Sequence, residues 1–357
     1  MVKDHRLELQ NPQFNRGAAV RTGRKRDSLR ATRRKLSISP DFPWYGETQQ
    51  KLCRSDGSQF FRKPNIRLDS AQGMNGSIGK ILSEATAALQ TAEITEPRKE
   101  AASLLMHTLN VERAFVIAHP ERELSPDEIL RFREVVARRA TREPLQYITG
   151  VQEFFNLKFA VTPNVLIPRP ETELIVEAAL DLLGSTNAPL IADIGTGSGC
   201  IAISLLHKMP RAHAIGIDIS ARALAVAHRN AEQHAVSGRF ALAQVDGLSA
   251  FPARPIFSAI VSNPPYIPAG EIDTLQPEVR EYEPLSALVA GKDGLSHIRI
   301  LVRDAARFLR TGGYLTFEIG FDQKDAVKAL VDLTIWDLVE IKNDLQNLPR
   351  VFVLRKK

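Results

Sequence analysis

Cysteine is scarce in this chain of 357 residues. The two cysteines, Cys53 and Cys200, lie far apart and belong to no CxxC or Cys/His spacing. A disulfide framework and a structural zinc site both need more cysteines at closer spacing, so the sequence argues against both. The eight histidines are scattered, and we expect no metal site. This composition fits a reducing compartment, and we expect the protein in the cytoplasm.

Long apolar runs are also absent. No stretch of the sequence approaches the ~20 apolar residues that are needed to span a bilayer. The N-terminus likewise lacks the apolar segment that is typical of a secretory signal. We therefore expect no membrane partner.

Acidic side chains are scarce at one end of the chain only. Residues 1–73 contain 16 of the 47 Lys+Arg but 7 of the 41 Asp+Glu, a net charge of +9. Because the whole chain carries +6, the residues after 73 carry −3. An enzyme that binds duplex nucleic acid usually has its basic face on the folded body. The charge distribution therefore disfavours such an enzyme.

The basic segment at residues 1–73 has no sustained hydrophobic period and contains the run Arg21–Lys35. Its composition predicts a disordered basic extension. Three interpretations stay open. The segment is a dispensable extension, or an upstream start with initiation at Met74; it is an organelle transit peptide, against which Asp4 and Glu8 count; or it is a basic arm that touches ribosomal RNA. Contact with nucleic acid is expected only weakly, through this extension.

Residues 74–145 have helical periodicity and predict a small helical domain. Apolar residues recur at helical spacing from Ile78 to Leu89, and a second helix should cover Pro97–Leu109. The segment Ser125–Glu128 has the sequence of a capping box, with Ser at the N-cap and Pro at the first helical position. The domain either packs simply against the rest of the chain or docks a protein partner.

The pattern changes at residues 146–166, where apolar and polar residues alternate and predict a linking β-hairpin. From 167 to 357, short apolar strands alternate with helical patterns, which predicts an α/β fold with a mostly parallel sheet. The strands are expected at Pro189–Ile194, Ala212–Asp218, Phe240–Asp246, Ile256–Ser262, Gly313–Ile319, Ile335–Ile341 and Arg350–Arg355. The last two strands are so close in sequence that they must pair antiparallel.

A glycine-rich turn follows the first of these strands. Its spacing, Asp193-Ile-Gly195-Thr-Gly197-Ser-Gly199, is GxGxG. The dinucleotide fingerprint would need a third glycine at Cys200, and no P-loop Lys-Ser/Thr follows. Alone, such a turn is weak evidence, since dinucleotide sites and plain turns also contain it. The details favour another nucleoside-containing cofactor.

Two acids close the next two strands. Asp218 can accept hydrogen bonds from a ribose diol, although it could also simply cap the following helix. Asp246, followed by Gly247, could accept from an adenine amino group. Because these ends lie at the carboxyl edge of one sheet, they describe a pocket for S-adenosylmethionine rather than NAD. The predicted cofactor-binding residues are Gly195, Thr196, Gly197, Ser198, Gly199, Asp218, Asp246 and Gly247.

The fourth strand ends in Asn263-Pro264-Pro265-Tyr266. Consecutive prolines fix φ and exclude a helix, so they hold Asn263 and Tyr266 rigidly beside the cofactor. Asn-Pro also opens ordinary turns, but its place on the fourth strand favours a site. We call this tetrapeptide the Asn263–Tyr266 corner.

A planar amide or aromatic amine suits this corner as substrate. Its nitrogen is a poor nucleophile because the lone pair is delocalised, and it carries two N–H donors. The side-chain oxygen of Asn263 and the carbonyl of Pro264 can accept one each, which favours a localised lone pair, while Tyr266 can stack on the planar group. Catalysis then depends on positioning and oriented dipoles. Asn263, Pro264 and Tyr266 are the predicted catalytic residues.

Within residues 77–357, five segments carry a resemblance to a known family: Glu143–Gly150, Leu166–Glu173, Asp193–Gly199, Asn263–Tyr266 and Val279–Pro284. In them the chain resembles the HemK/PrmC family of release factor N5-glutamine methyltransferases. The Asn263–Tyr266 segment is shared with DNA adenine N6-methyltransferases, whereas Pro168–Glu173 is far more specific. The related ribosomal-protein glutamine methyltransferases usually differ there.

The resemblance implies a Rossmann-like class I methyltransferase fold, with a seven-stranded sheet whose last strand is antiparallel, and S-adenosylmethionine as cofactor. It implies that Gly195–Gly199 cradle the methionine end and Asp218 the ribose. Asn263 would touch both cofactor and substrate, and Pro264, Pro265 and Tyr266 would complete the glutamine pocket. The helical domain would dock the release factor, whose Gly-Gly-Gln loop inserts its glutamine.

One position departs from the family pattern. Many relatives have an aromatic residue at the position of Gly247, where it stacks on adenine, and glycine cannot do so. Either a neighbour such as Leu248 covers the ring or cofactor binding is weaker. Residues 1–73 also lie outside the pattern.

The leading hypothesis is methyl transfer from S-adenosylmethionine to the amide nitrogen of the Gly-Gly-Gln glutamine in peptide chain release factors. One alternative is an adenine N6-methyltransferase on DNA or RNA, which would need a basic target-recognition region. Others are a ribosomal-protein glutamine methyltransferase and a cofactor-binding assembly factor that uses the basic segment on ribosomal RNA.

Overall fold

The computed structural model of the protein describes residues 76–248 and 251–357. The interpretations offered for residues 1–73, including Cys53 and the predicted disorder, lie outside the described residues. Over the part of the chain that is described, no helix is both long enough and apolar enough to cross a bilayer.

Residues 76–149 are mostly helical and share one apolar core. The elements are β1 (Gly76–Ser77), α1 (Ile78–Thr91), α2 (Pro97–Leu109), α3 (Arg113–Ala118), β2 (Glu123–Leu124), α4 (Pro126–Ala140) and α5 (Leu145–Thr149). Ile81, Leu104 and Phe132 meet in this core and are at most 2% exposed. Because each such side chain contributes about 1.5–3 kcal/mol when buried, the cluster holds the helices together.

The capping box predicted for α4 is confirmed. Ser125 Oγ accepts from the backbone N–H of Glu128 at 3.3 Å, and the Glu128 carboxylate accepts from the N–H of Ser125 at 2.8 Å. The short helix α5 occupies the first residues of segment 146–166, for which the sequence predicts a hairpin. Ile148 packs into the helical core, which keeps this turn helical until Gly150 ends it in the left-handed conformation.

A β-hairpin follows, as the alternating pattern predicted. Strands β3 (Val151–Phe154) and β4 (Leu157–Ala160) pair antiparallel. Phe154 and Phe159 turn into the core beneath the large sheet. The hairpin therefore packs on the α/β part of the chain through its apolar face.

The rest of the described chain builds one seven-stranded sheet in the order β10-β11-β9-β8-β5-β6-β7. The strands are β5 (Leu190–Ile194), β6 (His213–Asp218), β7 (Phe240–Gln244), β8 (Phe257–Ser262), β9 (Leu309–Glu318), β10 (Trp336–Asn343) and β11 (Pro349–Lys356). β11 alone runs in the direction opposite to the other six strands of this sheet. The fold is the predicted Rossmann-like α/β class.

Helices cover both faces of this sheet. The helices of this part of the chain are α6 (Glu173–Leu183), α7 (Cys200–Lys208), α8 (Ala221–Gln233), α9 (Pro277–Tyr282), α10 (Ser296–Ala305) and α11 (Lys324–Leu330). α6, α7 and α8 bury their apolar residues on one face, and α10 and α11 on the other. Burial on both faces explains why β8 is entirely buried and mostly apolar, with Ser258 and the final Ser262 as its polar residues.

Candidate active site

The carboxyl ends of the central strands lie side by side. β5 pairs in parallel with both β6 and β8, and β6 pairs in parallel with β7. The glycine turn, Asp218, Asp246 and the Asn263–Tyr266 corner follow these four ends. Ligands bind at this edge in open α/β sheets, at the point where the strand order reverses. The chain reverses between β5 and β8.

The glycine turn between β5 and α7 is held in a fixed shape. Gly195, Gly197 and Gly199 all have positive φ, between +55° and +81°. The N–H groups of Gly195 and Thr196 both donate to the carbonyl of Ile217, at 2.8 and 3.0 Å. A side chain on Gly199 would lie 2.9 Å from Ile203, whereas one on Gly197 would meet nothing closer than 3.9 Å. The turn is therefore packed at Gly199 and open at Gly197.

Asp193 supports the turn from beneath and is fully buried. Its Oδ2 accepts from the hydroxyl of Thr196 at 2.7 Å and from the N–H of Ala202 at 3.3 Å. Its Oδ1 has no hydrogen-bond partner among the described residues. Burial raises the pKa of Asp193 to about 7, and these two hydrogen bonds oppose the rise. Asp193 ties the turn to the first turn of α7.

Asp218 connects the end of β6 to the glycine turn. Its Oδ2 accepts from the N–H of Gly197 at 3.0 Å, and its Oδ1 accepts from the N–H of Ser220 at 2.8 Å. The helix cap itself is Ser220, whose hydroxyl accepts from Ala223. Capping therefore does not account for Asp218, whose half-buried carboxylate has lone pairs left for a ligand.

Asp246 and Gly247 follow β7 at the same edge. The N–H of Val245 donates to the carbonyl of Asp218 at 3.1 Å, which brings this segment next to the ribose candidate. Gly247 has φ +58°, and a side chain there would meet nothing within 4 Å. Leu248 is buried in the core beneath the sheet edge. Space therefore remains at Gly247, with an apolar residue beside it.

The Asn263–Tyr266 corner lies directly beside the glycine turn. A Cβ built on Gly195 would stand 4.0 Å from the carbonyl oxygen of Asn263. The hydroxyl of Ser262 donates to the carbonyl of Ile194 at 2.7 Å and links the two strand ends. Asn263, Pro265 and Tyr266 are partly exposed, and Pro264 is buried. The corner thus faces the cofactor candidate instead of a closed core.

Two residues that the sequence analysis did not single out hold the corner: Thr172 and Glu318. Asn263 Nδ2 donates to Thr172 Oγ1 at 2.9 Å, and that hydroxyl donates to Glu318 Oε2 at 2.6 Å. The hydroxyl of Tyr266 donates to the other oxygen, Glu318 Oε1, at 3.1 Å. One buried carboxylate therefore contacts Tyr266 directly and Asn263 through Thr172. The available signal was an acid at the end of the buried half of β9, whose last four residues are Leu315, Thr316, Phe317 and Glu318.

The backbone of the corner is fixed from a second side. The carbonyl of Tyr266 accepts from Gln323 Nε2 at 2.9 Å. A Cβ on Gly294 would stand 2.3 Å from the same carbonyl, so only glycine fits there. Burial, together with the neighbouring Glu318, raises the pKa of the Tyr266 phenol, which stays protonated at physiological pH. It therefore acts as a hydrogen-bond donor.

An ion-pair network joins the helical region to the site edge. Arg142, just after α4, donates to Glu278 of α9 at 2.9 Å, and buried Arg139 of α4 donates to the same carboxylate at 3.1 Å. Beyond α9, the buried carboxylate of Glu283 pairs with Arg169 and accepts from the N–H of Ile167 at 3.2 Å. These contacts fasten α9 to the segment that leads into Thr172.

The predicted site residues therefore lie at one sheet edge, in an arrangement suited to group transfer. A cradle of backbone and carboxylate groups adjoins a rigid corner with an amide oxygen, a backbone carbonyl and an aromatic ring. Among the residues from 76 to 248 and from 251 to 357, no group of three or more His, Cys, Asp or Glu is placed to hold a metal ion.

Two family models match the chain. One, described as the PrmC N-terminal domain, covers residues 80–150, and the other, described as a methyltransferase small domain, covers residues 172–276. The first falls on the helical region and ends at Gly150, just before the hairpin. The second includes the glycine turn, Asp218 and the corner.

Curated relatives match most of the chain at about two-fifths identity. A release factor glutamine methyltransferase of Nitratidesulfovibrio vulgaris is 39% identical over 291 residues, which cover 81% of this chain and 98% of that protein. One of Moorella thermoacetica is 46% identical over 255 residues, covering 71% and 89%. One of Geobacter sulfurreducens is 42% identical over 262 residues, covering 72% and 89%.

Proposed function

The chain belongs to the family of release factor glutamine methyltransferases, and we propose that its Asn263–Tyr266 corner carries out methyl transfer to the N5 amide nitrogen of a release factor's Gly-Gly-Gln glutamine. It is an S-adenosylmethionine-dependent protein-glutamine methyltransferase. The observation that carries the proposed site is the adjacency of the glycine turn and the corner: a Cβ built on Gly195 would stand 4.0 Å from the carbonyl oxygen of Asn263. Donor and acceptor of the methyl group would meet across this gap.

The residues of the cradle fit S-adenosylmethionine. The open side of Gly197 leaves room where a side chain would intrude, and Asp218 keeps lone pairs for two ribose hydroxyls. We assign the methionine end to Gly195–Gly199. Asp246 is assigned to the adenine amino group, with Leu248 beside the space that Gly247 leaves. The cofactor supplies an electrophilic methyl group on a positively charged sulfur, which departs as a neutral thioether.

The corner prepares the amide nitrogen. Asn263 Oδ1 and the carbonyl of Pro264 accept one N–H each, which concentrates the lone pair on nitrogen and aims it at the methyl group. Pro265 and the ring of Tyr266 confine the flat amide in one plane. Reacting atoms held at about 3–3.5 Å give much of the rate by positioning alone. The methylated nitrogen releases its extra proton to water, so no general base is needed before transfer.

The helical region, residues 76–149, is proposed to dock the release factor. It carries the family's N-terminal model, and Ile117 and Leu130 are 67% and 59% exposed there. Exposed apolar side chains of this size suit a protein partner. We place the reaction in the cytoplasm, with release factors as partners; nucleic acid takes part only through weak contact of the basic segment 1–73.

Peptide mass spectrometry tests the proposal. The purified protein, S-adenosylmethionine and a release factor are incubated together, and the Gly-Gly-Gln peptide is measured. We expect a gain of one CH2 unit on the glutamine. An unmodified glutamine, with cofactor binding demonstrated, would refute the function, and label transfer to a DNA or RNA oligonucleotide would establish the adenine alternative in its place.

Asn263→Ala tests the assigned site within the same assay. Removing one transition-state acceptor should lower kcat about 10²–10³-fold and leave cofactor affinity within a few-fold. Asn187→Ala is the matched control, because this exposed asparagine bonds only Arg211 near the opposite end of β5. Wild-type turnover in Asn263→Ala would contradict the assignment.

A further inference from the structure

We propose that Glu318 is a positioning residue for methyl transfer, acting directly on Tyr266 and through Thr172 on Asn263. The proposal rests on the proposed function and concerns the groups that orient its two side chains. Thr172 and Glu318 are 2% and 1% exposed, so water does not compete for their hydrogen bonds. We call Glu318, Thr172, Asn263 and Tyr266 the Glu318 network.

Counting donors fixes the direction of every bond in this network. An ionised carboxylate only accepts, so the hydroxyls of Thr172 and Tyr266 both donate to Glu318. Thr172 has a single hydroxyl hydrogen, and once it is given to Glu318 its oxygen can only accept. The Asn263 atom that faces Thr172 must therefore be the NH2 group. The amide oxygen of Asn263 is thereby left for the substrate.

The same count explains why a carboxylate stands in this place. A protonated Glu318 would carry a donor of its own, and Thr172 could then turn its hydrogen toward Asn263. The amide would flip and present its NH2 group to the substrate nitrogen, which also carries only donors. Two donors cannot bond each other. Only ionised Glu318 enforces the productive amide orientation.

Several groups face Glu318 from the elements packed around it. Thr172 and Tyr266 donate hydrogen bonds, Glu171 of the same turn as Thr172 opposes its charge, and Arg350 of β11 favours it. Burial is the largest influence and raises the pKa of Glu318 to about 7. Because the hydrogen bonds need an ionised Glu318 to orient Asn263, we expect kcat to rise with pH as Glu318 ionises near neutrality.

A pair of isosteric substitutions tests the network. Thr172→Val keeps the shape of the side chain and removes the hydroxyl that links Glu318 to Asn263. Thr316→Val is the matched control: this threonine is buried in the same strand as Glu318, two residues away, and its hydroxyl has no partner. We expect Thr172→Val to lower kcat about 10- to 100-fold, because a misplaced group costs that much.

Three readouts separate positioning from mere structural damage. Thr172→Val should have the same melting temperature as the control, and its cofactor Kd should lie within about three-fold of the control's. Thr172→Ser, which restores the hydroxyl, should recover most of the lost turnover. Glu318→Gln should lower kcat and abolish its rise with pH, since glutamine does not titrate. If Thr172→Val folds poorly, the comparison of the pH profiles of kcat for Glu318→Gln and the wild type still tests the proposal.

The outcomes are distinct. Equal turnover in Thr172→Val and Thr316→Val, or an unchanged pH profile in Glu318→Gln, overturns the positioning role and leaves the proposed function intact. If the wild-type protein binds cofactor but does not methylate a release factor, both the proposed function and the positioning role of Glu318 are refuted.

Discussion

Buried carboxylates are the most informative feature at the scale of single residues. Asp193 and Glu318 lie at or next to the carboxyl ends of β5 and β9, both are at most 1% exposed, and burial raises the pKa of each to about 7. A fold does not keep charged groups in such places for stability, because their desolvation is costly. Their contacts with the glycine turn and with the corner account for their presence.

Asp193→Asn should change how stability depends on pH. Because the folded state raises this pKa above the unfolded value of 3.8, the protonated form stabilises the fold. That contribution is complete below pH 3.8 and is lost as the pH rises through about 7. The variant lacks this contribution. As the pH rises from 3.8 to about 7, the unfolding free energy of Asp193→Asn should therefore increase relative to that of the wild type by up to roughly 4 kcal/mol.

Urea unfolding of both proteins at pH 5 and pH 8, without cofactor, measures the part of this change that falls above pH 5, which is roughly 3 kcal/mol. Asp181→Asn is the control, since that carboxylate lies exposed on α6. If the difference in unfolding free energy between Asp193→Asn and the wild type were the same at both pH values, Asp193 would not titrate as its burial implies.

At the scale of elements, the glycine turn is the most constrained connection. Gly199 combines φ +81° with side chains of Ile203, Ala227 and Phe240 within 3.3 Å of a built Cβ. The left-handed conformation allows a close approach of α7 to the sheet that any larger residue would prevent. This packing places the N-terminus of α7 toward the cofactor cradle.

Gly199→Ala should therefore destabilise the fold by about 1–3 kcal/mol and weaken cofactor binding. Gly238→Ala is the matched control, because a Cβ there would meet nothing within 4 Å and its φ is not positive. Chemical denaturation and a cofactor titration check both variants. Equal stability of the two would show that the turn tolerates a side chain at Gly199.

Ion pairs on α9 connect this helix to the helical region. Glu278 accepts from both Arg139 and Arg142. Burial would raise the pKa of Glu278, but the hydrogen bonds it receives, including those of Arg142 and Arg139, outweigh burial and lower it. Its stabilising contribution is thus present above pH 4.5 and lost as the pH falls through the folded pKa.

Glu278→Gln should lower the unfolding free energy at pH 7 by about 1.5–3 kcal/mol, the usual contribution of hydrogen bonds to charged groups. Glu281→Gln on the same helix is the control, since its pair with Arg280 is exposed and such pairs contribute little. Denaturant unfolding at pH 7 compares the two. A loss no larger than in the control would mean that Glu278 does not fasten the helical region.

At the scale of the whole molecule, charge and chemistry separate along the chain. The net charge of +9 lies in residues 1–73, and every proposed catalytic or cofactor-binding residue lies between Gly195 and Tyr266. The residues after 73 carry −3, which suits a protein substrate better than a nucleic acid.

A chain that begins at Met74 should therefore methylate a release factor with kcat/KM within about two-fold of the full-length enzyme, because electrostatic steering is the main effect that the basic segment can add. Parallel assays at low and at physiological ionic strength measure this. A tenfold loss at physiological salt would give the segment a direct part in substrate binding.

The sequence by itself determined the elements of the sheet and the predicted site residues. Strands that are buried on both faces are mostly apolar runs, which a sequence shows directly. Glycine permits positive φ and proline fixes φ, so the turn at Gly195–Gly199 and the corner at Asn263–Tyr266 can be predicted without a structure. The capping box at Ser125 is local for the same reason. Helix α5 was missed because tertiary packing of Ile148, not a local signal, makes it helical.

Only the tertiary structure decided which distant side chains share a hydrogen bond. Thr172, Asn263 and Glu318 are separated by 91 and 55 positions in sequence, and their contact depends on how β8, β9 and the turn before α6 pack. Hydrogen bonds act over about 3 Å and leave no periodic trace in a sequence. The residues that we propose for the chemistry were therefore predictable from sequence, whereas the hydrogen bonds that join them to Thr172 and Glu318 were not.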